Sequence, residues 1–552
     1  MKMKLLIILL VFSGFANAQL PGYVWARSAG GNGMDNGQSV ARDAGGNTIV
    51  TGYFTSPSII FGTVTLTNPS NLGYADFFLV KYDAGGNVLW ARNAGGSPND
   101  YGYSVATDAS GNILVTGSFS SPTITFGTTT LTNAAAGRND IFIVKYDPNG
   151  NVLWAKSAGG SEWDEGLCVS TDSGGNVLLA GDFSSSLITF GTSTLSTTIA
   201  NTWDIFLVKF DAGGNVIWAK SEGGSSSDNV RSVSTDASGS VLITGFFISS
   251  SITIGTTTLT NAGNGDSFLV KYDSGGNVLW AKSAGGTNFD KGNSVTTDAG
   301  GNIITTGYFI STSIAFGITT LTNGATGNFF LVKYNSGGNV IWAKREGGSA
   351  NAECRGVTTD TNGNIIITGS FTSPSIAFGT TTLTNAGVSD IFIAKYDPSG
   401  NLLWARRAGG NTDDEGNSVS TDASGNILVA GYSTSPSVIF GTTTLTNAGG
   451  LDFFLVKLSD IATTGVEETN FTSSIDVFPN PFSTQITLQT YNSLNNATFK
   501  MVNAMSETVV KIENINGQTL TINRGNLPCG PYVVHLTQGN KLLATKKIII
   551  TD

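Results

Sequence analysis

Residues 88–117 read VLWARNAGGSPNDYGYSVATDASGNILVTG, and close copies of this stretch occur six more times in the chain. A tryptophan in the same context recurs every 62 to 65 residues. A fixed period of this size indicates one supersecondary unit stacked on copies of itself. The tryptophans that begin the seven units are Trp25, Trp90, Trp154, Trp218, Trp280, Trp342 and Trp404.

The spacing inside each unit is constant except in one loop. Each of these tryptophans is followed 15 residues later by a valine, as Trp90 is by Val105, and 12 residues after that by a glycine such as Gly117. All length variation falls between a TLTN segment and a polar residue, such as Asp140, that lies 14 residues before the next tryptophan. Insertions survive where the backbone is solvated and unpaired, so this loop is predicted to lie on the surface.

Each unit carries four short apolar runs bounded by glycine, which is typical of strands. In the second unit they are residues 87–92, 103–107, 113–117 and 141–146. Turns of the form Asp-x-x-Gly-Asn join them, with Asp as a cap and Gly at positive φ. Calcium binding by these turns is a weaker interpretation, because they lack the alternating oxygen ligands and distal Glu of a calcium loop.

Four strands per unit and seven units predict an all-β chain folded as a seven-bladed β-propeller over residues 19–458. The first unit begins at its fourth strand, residues 23–27, and the last unit ends at Leu458 after its third strand. The N-terminal strand is therefore expected to complete the last blade and close the ring, which removes exposed sheet edges. An open solenoid would need capping units at its ends.

Composition and the N-terminus predict an exported protein. Residues 1–18 have a basic start, an apolar core and an Ala-Asn-Ala site, as in a signal peptide. The formal net charge is −10, with no basic stripe to suggest a nucleic-acid partner. No later stretch has the ~20 apolar residues of a transmembrane helix.

The repeat stops at Leu458, and the remaining sequence has a different organisation. Residues 459–474 are predicted to be a polar linker, and the short apolar runs of residues 475–552 predict a small β-sandwich. Three motifs stand out in this segment: VFPNP, LPCGPYVV and the closing KKIII. Their distinctive residues are Pro479, Asn480, Pro481, Gly530, Tyr532, Lys546 and Lys547.

In these motifs the segment resembles the C-terminal type A sorting domain of Bacteroidetes type IX secretion. The resemblance implies recognition by that secretion machinery, passage across the outer membrane, and release or attachment at the cell surface. Residues 23–458 likewise resemble SBBP-type β-propeller repeats, a resemblance that implies the fold and no activity.

The sequence offers little catalytic chemistry. His535 is the single histidine and lies in the C-terminal segment, so no Ser/His/Asp set, Cys/His set or His-ligated metal site is predicted for the repeats. We predict no catalytic residues, no metal and no cofactor. Paired carboxylates remain an alternative, and the acidic loops 162–165 and 413–415 are the best candidates for a hydrolase or lyase.

One acidic position recurs five residues before the valine of the first strand in each unit except one, where Ala352 stands. A solvent-facing acidic rim for cations or hydroxyl-rich ligands is the functional interpretation of this position, and a turn or strand cap is the structural one. The residues at this position are Asp35, Asp100, Asp164, Asp228, Asp290 and Asp414.

Two tryptophans break the sevenfold pattern, Trp163 and Trp203, and both lie in loops of the third unit. Glu162, Asp164 and Glu165 surround the first. Aromatic faces beside carboxylates can stack on sugar rings and bond their hydroxyls, so these five residues are the predicted ligand site.

The sequence favours a non-enzymatic, secreted or surface-displayed propeller that binds an extracellular glycan or protein through the face bearing the long loops. An extracellular polysaccharide hydrolase or lyase is the alternative, and a structural surface-layer component is the second alternative.

Overall fold

The computed structural model describes residues 20–70, 72–324, 326–459, 475–503, 507–538 and 541–552. The chain divides into two compact units between Ala462 and Thr463. The predicted signal peptide and all but the first residue of the predicted linker lie outside the described residues. In the part of the chain that is described, no helix is long and apolar enough to cross a membrane.

The first compact unit, which contains all the repeats, is built of short strands. Those of its first half are β1 Tyr23–Ala29, β2 Asp35–Arg42, β3 Thr48–Phe54, β4 Ser58–Phe61, β5 Val64–Thr67, β6 Asp76–Tyr82, β7 Val88–Ala94, β8 Asp100–Thr107, β9 Ile113–Phe119, β10 Thr123–Phe126, β11 Thr129–Thr132, β12 Asp140–Tyr146, β13 Val152–Ala158, β14 Asp164–Thr171, β15 Val177–Phe183, β16 Leu187–Phe190, β17 Ser193–Ser196, β18 Asp204–Phe210, β19 Val216–Glu222, β20 Asp228–Thr235 and β21 Val241–Phe247.

Those of its second half are β22 Ser251–Ile254, β23 Thr257–Thr260, β24 Asp266–Tyr272, β25 Val278–Ala284, β26 Asp290–Thr297, β27 Ile303–Phe309, β28 Ser313–Phe316, β29 Thr319–Thr322, β30 Asn328–Tyr334, β31 Val340–Gly348, β32 Ala352–Thr359, β33 Ile365–Phe371, β34 Ser375–Phe378, β35 Thr381–Thr384, β36 Asp390–Tyr396, β37 Leu402–Ala408, β38 Asp414–Thr421, β39 Ile427–Ser433, β40 Ser437–Phe440, β41 Thr443–Thr446 and β42 Asp452–Leu458.

These strands group into antiparallel four-stranded sheets, each with a first, second, third and fourth strand. In this order they are sheet 1 (β2, β3, β6, β7), sheet 2 (β8, β9, β12, β13), sheet 3 (β14, β15, β18, β19), sheet 4 (β20, β21, β24, β25), sheet 5 (β26, β27, β30, β31), sheet 6 (β32, β33, β36, β37) and sheet 7 (β38, β39, β42, β1). Sheet 7 takes its fourth strand from the N-terminus, where Ala26 lies opposite Val456. Sheet 5 also continues into the hairpin of β34 and β35.

The second and third strands are buried on both faces. All seven residues of β6, β9 and β12 are buried. A strand covered on both faces needs no polar alternation, which accounts for the continuous apolar runs of the sequence.

The tryptophans at the start of each unit pack between neighbouring sheets, as expected for residues present in every copy. The indole Nε1 of Trp90 in sheet 1 donates to the carbonyl oxygen of Pro148, in the turn between the third and fourth strands of sheet 2, at 3.3 Å. A Cβ on Gly150 would lie 3.0 Å from the Trp90 ring, so glycine allows the close contact.

The Asp-x-x-Gly-Asn turns between first and second strands are closed by their own side chains and by a lysine. Asp108 Oδ1 accepts from the backbone N–H of Asn112 at 2.9 Å, and Gly111 has φ of 77°. Lys145 of the same sheet lies 3.0 Å from Asp108 Oδ2, and both side chains are nearly inaccessible to solvent. The turn oxygens that a calcium ion would need are thus engaged by protein donors.

The two-stranded hairpins between second and third strands fill the gaps between adjacent sheets. In the third unit Ile188, Phe190 and Leu195 are buried, and the Phe190 ring lies 5.1 Å from that of Phe206. Most of this excursion therefore belongs to the core, although it carries the length variation at its end.

The second, C-terminal compact unit contains β43 Ile475–Phe478, β44 Gln485–Val502, β45 Thr508–Asn523, β46 Gly530–Gln538 and β47 Lys541–Ile550. They form one five-stranded sheet, not the two sheets of the predicted sandwich. The reason is that β44 and β45 pair almost along their whole length through several bulges and so stay continuous where the sequence suggested breaks. Phe482 bridges Ile550, which brings the two ends of the sheet together.

Candidate functional site

The repeats differ in side-chain chemistry at three positions of each sheet. These are the second residue of the first strand, the second-strand residue opposite it, and the extra residue of a β-bulge in the first strand, such as Gln38 between Gly37 and Ser39. Bulges re-aim a side chain and are common beside binding sites. We call this set the variable cluster: Asn36, Gln38, Tyr53; Tyr101, Tyr103, Ser118; Glu165, Leu167, Asp182; Asn229, Arg231, Phe246; Lys291, Asn293, Tyr308; Glu353, Arg355, Ser370; Glu415, Asn417 and Tyr432.

Constant residues hold the first strands side by side. The backbone N–H of Val105 in β8 donates to Ser39 Oγ in β2 at 3.2 Å, and that of Val40 in β2 donates to Ser418 Oγ in β38 at the same distance. Each first strand packs against the next, and β38 packs against β2. The variable side chains of neighbouring sheets are therefore brought into contact.

Sheets 1 and 2 contribute an aromatic group. The Tyr53 and Tyr101 rings meet edge to face at 4.9 Å, and Tyr101 and Tyr103 are parallel at 5.8 Å. Ser118 donates to the Tyr103 hydroxyl at 3.2 Å. Burial raises the pKa of the Tyr101 hydroxyl, so it stays a neutral donor and acceptor at physiological pH.

Sheets 3 and 4 contribute two carboxyl groups and a guanidinium. Asp182 accepts from the backbone N–H of Val230 at 2.8 Å and from Asn229 Nδ2 at 2.7 Å. Burial raises the pKa of Asp182 to about 7, against the opposing charge of Arg231. Burial also raises the pKa of Glu165, which accepts from an asparagine side chain at 2.8 Å.

Sheets 5, 6 and 7 contribute an ion-pair chain. Lys291 Nζ lies 2.8 Å from Glu353 Oε1, and Arg355 Nη2 lies 2.7 Å from Glu415 Oε2. Burial acts to raise the pKa of Glu353, but the charges of Arg355 and Lys291 outweigh it and lower the pKa. These side chains keep between 17% and 38% of their surface exposed, so they remain reachable from solvent.

The predicted aromatic site is only partly assembled. Trp163 is 37% exposed, and the Arg138 guanidinium stacks 5.4 Å from its ring centre. Glu162 lies 3.6 Å from Arg138, whereas Trp203 is half-buried. Among the described residues no ring contact joins Trp163 to Trp203. Of the predicted group, Glu165 is the member that belongs to the variable cluster.

The prediction of a solvent-facing acidic rim is wrong, because the six aspartates at the recurring acidic position are all fully buried. Asp35 accepts from the Ser56 hydroxyl at 2.6 Å and from the Gly31 N–H at 2.7 Å. Asp164 likewise accepts from the Ser185 hydroxyl at 2.7 Å. Buried carboxylates need such donors, and the structural interpretation, a cap that ties loop to strand, is the correct one.

Several of the loop carboxylates proposed for a hydrolase are engaged by other protein groups. Asp164 and Asp414 are buried and bonded to serines, and Glu415 is held by Arg355. In the described part of the chain no group of three or more His, Cys, Asp or Glu residues is placed to hold a metal ion.

Two grooves between sheets carry constant chemistry. One of about 410 Å³ is bordered by Lys282, Phe316 and Tyr334. Another of about 280 Å³ is bordered by Lys156 and Phe210 at the matching position two units earlier. Because these grooves recur with the repeat, we attribute them to packing between sheets.

The C-terminal motifs are brought together in the C-terminal compact unit. Asn480 Nδ2 donates to the Lys547 carbonyl oxygen at 2.9 Å, and Asn480 Oδ1 accepts from the Ile549 N–H at 2.8 Å. The buried Tyr532 donates from its hydroxyl to the Pro528 carbonyl oxygen at 2.9 Å. Pro479 and Pro481 flank Asn480, Gly530 begins β46, and Lys546 lies in β47.

Family models match both parts of the chain. Residues 476–551 match a secretion system C-terminal sorting domain, and residues 89–118 and 403–436 match the SBBP β-propeller repeat. The sorting domain indicates secretion, attachment to the outer cell surface and interaction with the secretion machinery. The chain is thus a propeller-repeat protein with a type IX sorting tail.

More distant relatives share only part of the chain. An uncharacterized WD repeat-containing protein, L264, of Acanthamoeba polyphaga mimivirus is 26% identical over 74% of this chain and 36% of its own length. The regulatory protein FlaEY of Caulobacter vibrioides is 29% identical over 26% of this chain and 15% of its own length. The chain therefore spans about a third or less of these relatives.

Among solved structures, a fungal alcohol oxidase of the AA5 family in complex with copper is similar to this chain. The alignment covers 97% of this chain and 100% of the oxidase chain. It does so at 14% identity and a TM-score of 0.38. This likeness is too low to transfer any activity.

Proposed function

We propose that the protein is a surface-displayed, non-enzymatic propeller that binds an extracellular glycan through the variable cluster. In this proposal the seven sheets are the blades of a ring closed by β1. The β1–β42 ladder and the hydrogen bond from Val40 to Ser418 Oγ support closure.

One observation carries the proposal. The scaffold positions are nearly identical in seven copies, whereas the variable cluster holds tyrosines, carboxyls, amides, a lysine and two arginines. Packing alone would give every copy the same residue. Chemical diversity on a constant frame is what a single asymmetric ligand requires.

The mixture of groups favours a carbohydrate. Tyrosines such as Tyr101 offer faces for sugar rings, and Glu165 and Asn229 offer acceptors and donors for hydroxyl groups. The opposed charges on Lys291, Glu353, Arg355 and Glu415 largely neutralise one another, which suits a polar ligand of low net charge.

Sibling copies supply conservative replacements for a test. Tyr101→Asn and Glu165→Asn each introduce the residue that another sheet carries at the same register, Asn36 and Asn229 respectively. The double variant should lose binding on a glycan array while keeping the melting temperature. Asn149→Ala, an exposed turn change between third and fourth strands, is the control.

Other outcomes would favour the competing functions. Hydrolysis of a polysaccharide by the purified protein, abolished by Glu165→Gln, would establish the hydrolase or lyase. A glycan array without hits, together with self-association of the protein, would support a structural surface-layer component. Binding to proteins alone would show that the ligand is a protein and not a glycan.

A further inference from the structure

A second set of buried acids lies at the junctions between sheets. The third strand of one sheet begins with an aspartate that borders the first-strand aspartate of the next sheet. A Cβ placed on Gly95 would lie 2.2 Å from Asp76 Oδ1 and 3.1 Å from Asp100 Oδ2, so both carboxyls border the same glycine. The pairs are Asp76–Asp100, Asp140–Asp164, Asp204–Asp228, Asp266–Asp290, Asp390–Asp414 and Asp452–Asp35.

The two carboxyls of a pair differ in their hydrogen bonds. Asp100 accepts from the Gly96 N–H at 2.7 Å and from the N–H and hydroxyl of Ser121. Asp76 is fully buried, and neither of its carboxyl oxygens has a partner in the described residues. In the other five pairs Oδ1 of the third-strand aspartate is likewise buried and unpartnered.

The remaining junction, between sheets 5 and 6, lacks both acids. Asn328 begins the third strand of sheet 5, and Ala352 begins the first strand of sheet 6. These are the positions at which the other six junctions carry aspartate. A role for each carboxyl alone would not require the two exceptions to coincide, so the pair acts as a unit.

Two ionised carboxyls side by side in the interior are costly unless a positive charge joins them. A calcium ion would need six to eight oxygen ligands, and each pair supplies two carboxyls. A proton on the unpartnered oxygen of Asp76 would supply the missing bond by donating toward Asp100.

We propose that each of the five carboxyl pairs without a cation holds one proton in mildly acidic solution, and that the junctions between sheets weaken as these protons are lost toward neutral pH. The charged group facing Asp76 across its junction is Asp100. The corresponding charged pairs at the other junctions are Asp140 with Asp164, Asp204 with Asp228, Asp266 with Asp290 and Asp452 with Asp35. The Asp390–Asp414 pair also carries a cation, with Arg407 Nη1 2.5 Å from Asp390 Oδ2.

The pKa shifts agree with this geometry. Burial, with a smaller contribution from the charge of Asp100, raises the pKa of Asp76 to about 7. Burial raises the pKa of Asp140 to about 7 and that of Asp452 to about 6. Groups with raised folded pKa values stabilise the fold below their unfolded pKa, and that contribution is lost as pH rises through the folded pKa.

The test compares two sets of five substitutions in the mature chain, in EDTA. The junction variant carries Asp→Asn at positions 76, 140, 204, 266 and 452, which copies Asn328. The control variant carries Asp→Asn at 83, 147, 211, 273 and 397, the matching turn position at which the chain already has Asn335. These turn aspartates have lowered pKa values.

The wild type and the control should lose ~5–10 °C of melting temperature between pH 5.5 and 8.5, and the junction variant should lose much less. The infrared carbonyl band of protonated carboxylic acid should fade over the same range in the native wild type. This second measurement needs no variant.

A wild-type melting temperature that stays level or rises across this range would overturn the proposal. So would the absence of the protonated-acid band, or recovery of the wild type at pH 8.5 on adding calcium chloride alone, since a divalent cation would then be the bound species.

Discussion

The indole Nε1 of Trp25 donates a hydrogen bond to the carbonyl oxygen of Ala84 at 3.1 Å. Trp25 lies in β1, the fourth strand of sheet 7, and Ala84 lies in the turn that follows the third strand of sheet 1. The same bond joins Trp90 to Pro148 between sheets 1 and 2. The contact that links consecutive sheets thus also links the last sheet to the first.

Deleting residues 21–27 should destabilise sheet 7 specifically, because it removes the strand paired with β42 and the contact of Trp25 with sheet 1. Hydrogen exchange should speed up in β38, β39 and β42 while sheets 3 and 4 keep their protection. Unchanged protection and protease resistance in sheet 7 would contradict the role of β1.

Replacing Lys145 by Met should destabilise the protein by about 3 kcal/mol, because it leaves the buried Asp108 carboxylate without its cation. Thermal or denaturant unfolding measures the effect. Adding Asp108→Asn should recover part of the loss. If the single variant is as stable as the wild type, the ion pair contributes nothing to the fold.

Stability should also fall in acid. The pKa of Asp108 is lowered by hydrogen bonds from Asn112 and Lys145 and by the lysine charge, against the opposing effect of burial. Stabilisation by such a group is present above its unfolded pKa, about 4, and is lost as pH falls through the folded value. Six further Asp–Lys pairs repeat the arrangement. The melting temperature, measured over a series of pH values, should therefore decline below about pH 4. A melting temperature that stays constant below pH 4 would contradict this prediction.

Replacing both Trp163 and Trp203 by alanine should weaken glycan binding if the loops of the third unit extend the binding surface. Trp163 lies two residues before the cluster member Glu165 in the chain and is exposed. Calorimetry of unfolding gives the control measurement. A lower melting temperature would identify these tryptophans as packing residues.

The Asn480→Ala variant should be exported less efficiently, because it removes two hydrogen bonds that fix the loop before β44 to β47. The fraction of protein at the cell surface measures the effect. Asn516→Ala, a change of an exposed residue in β45, is a matched control. Equal surface display of both variants would show that this loop is not part of the sorting signal.

The strands could be predicted because periodicity, spacing and glycine placement are local properties. The position of Asp35 could not be judged in the same way. A recurring acid next to a loop looks the same in sequence whether it faces solvent or accepts from Ser56. The repeated serine 21 residues after each of these aspartates was the available signal.

The variable cluster was missed for a different reason. Length variation drew attention to the loops, whereas the informative differences are substitutions at constant register, such as Tyr101 against Glu165. Comparing the seven copies position by position would have identified these residues. The contacts between neighbouring first strands, which bring such positions of adjacent sheets together, are visible only in the fold.

Binding of the wild type, the Tyr101→Asn/Glu165→Asn variant and the Asn149→Ala control to one glycan array tests the account most directly. We expect at least tenfold weaker binding by the double variant and unchanged binding by the control, with equal melting temperatures. Equal glycan binding by all three proteins would contradict the assignment of the variable cluster as the binding site.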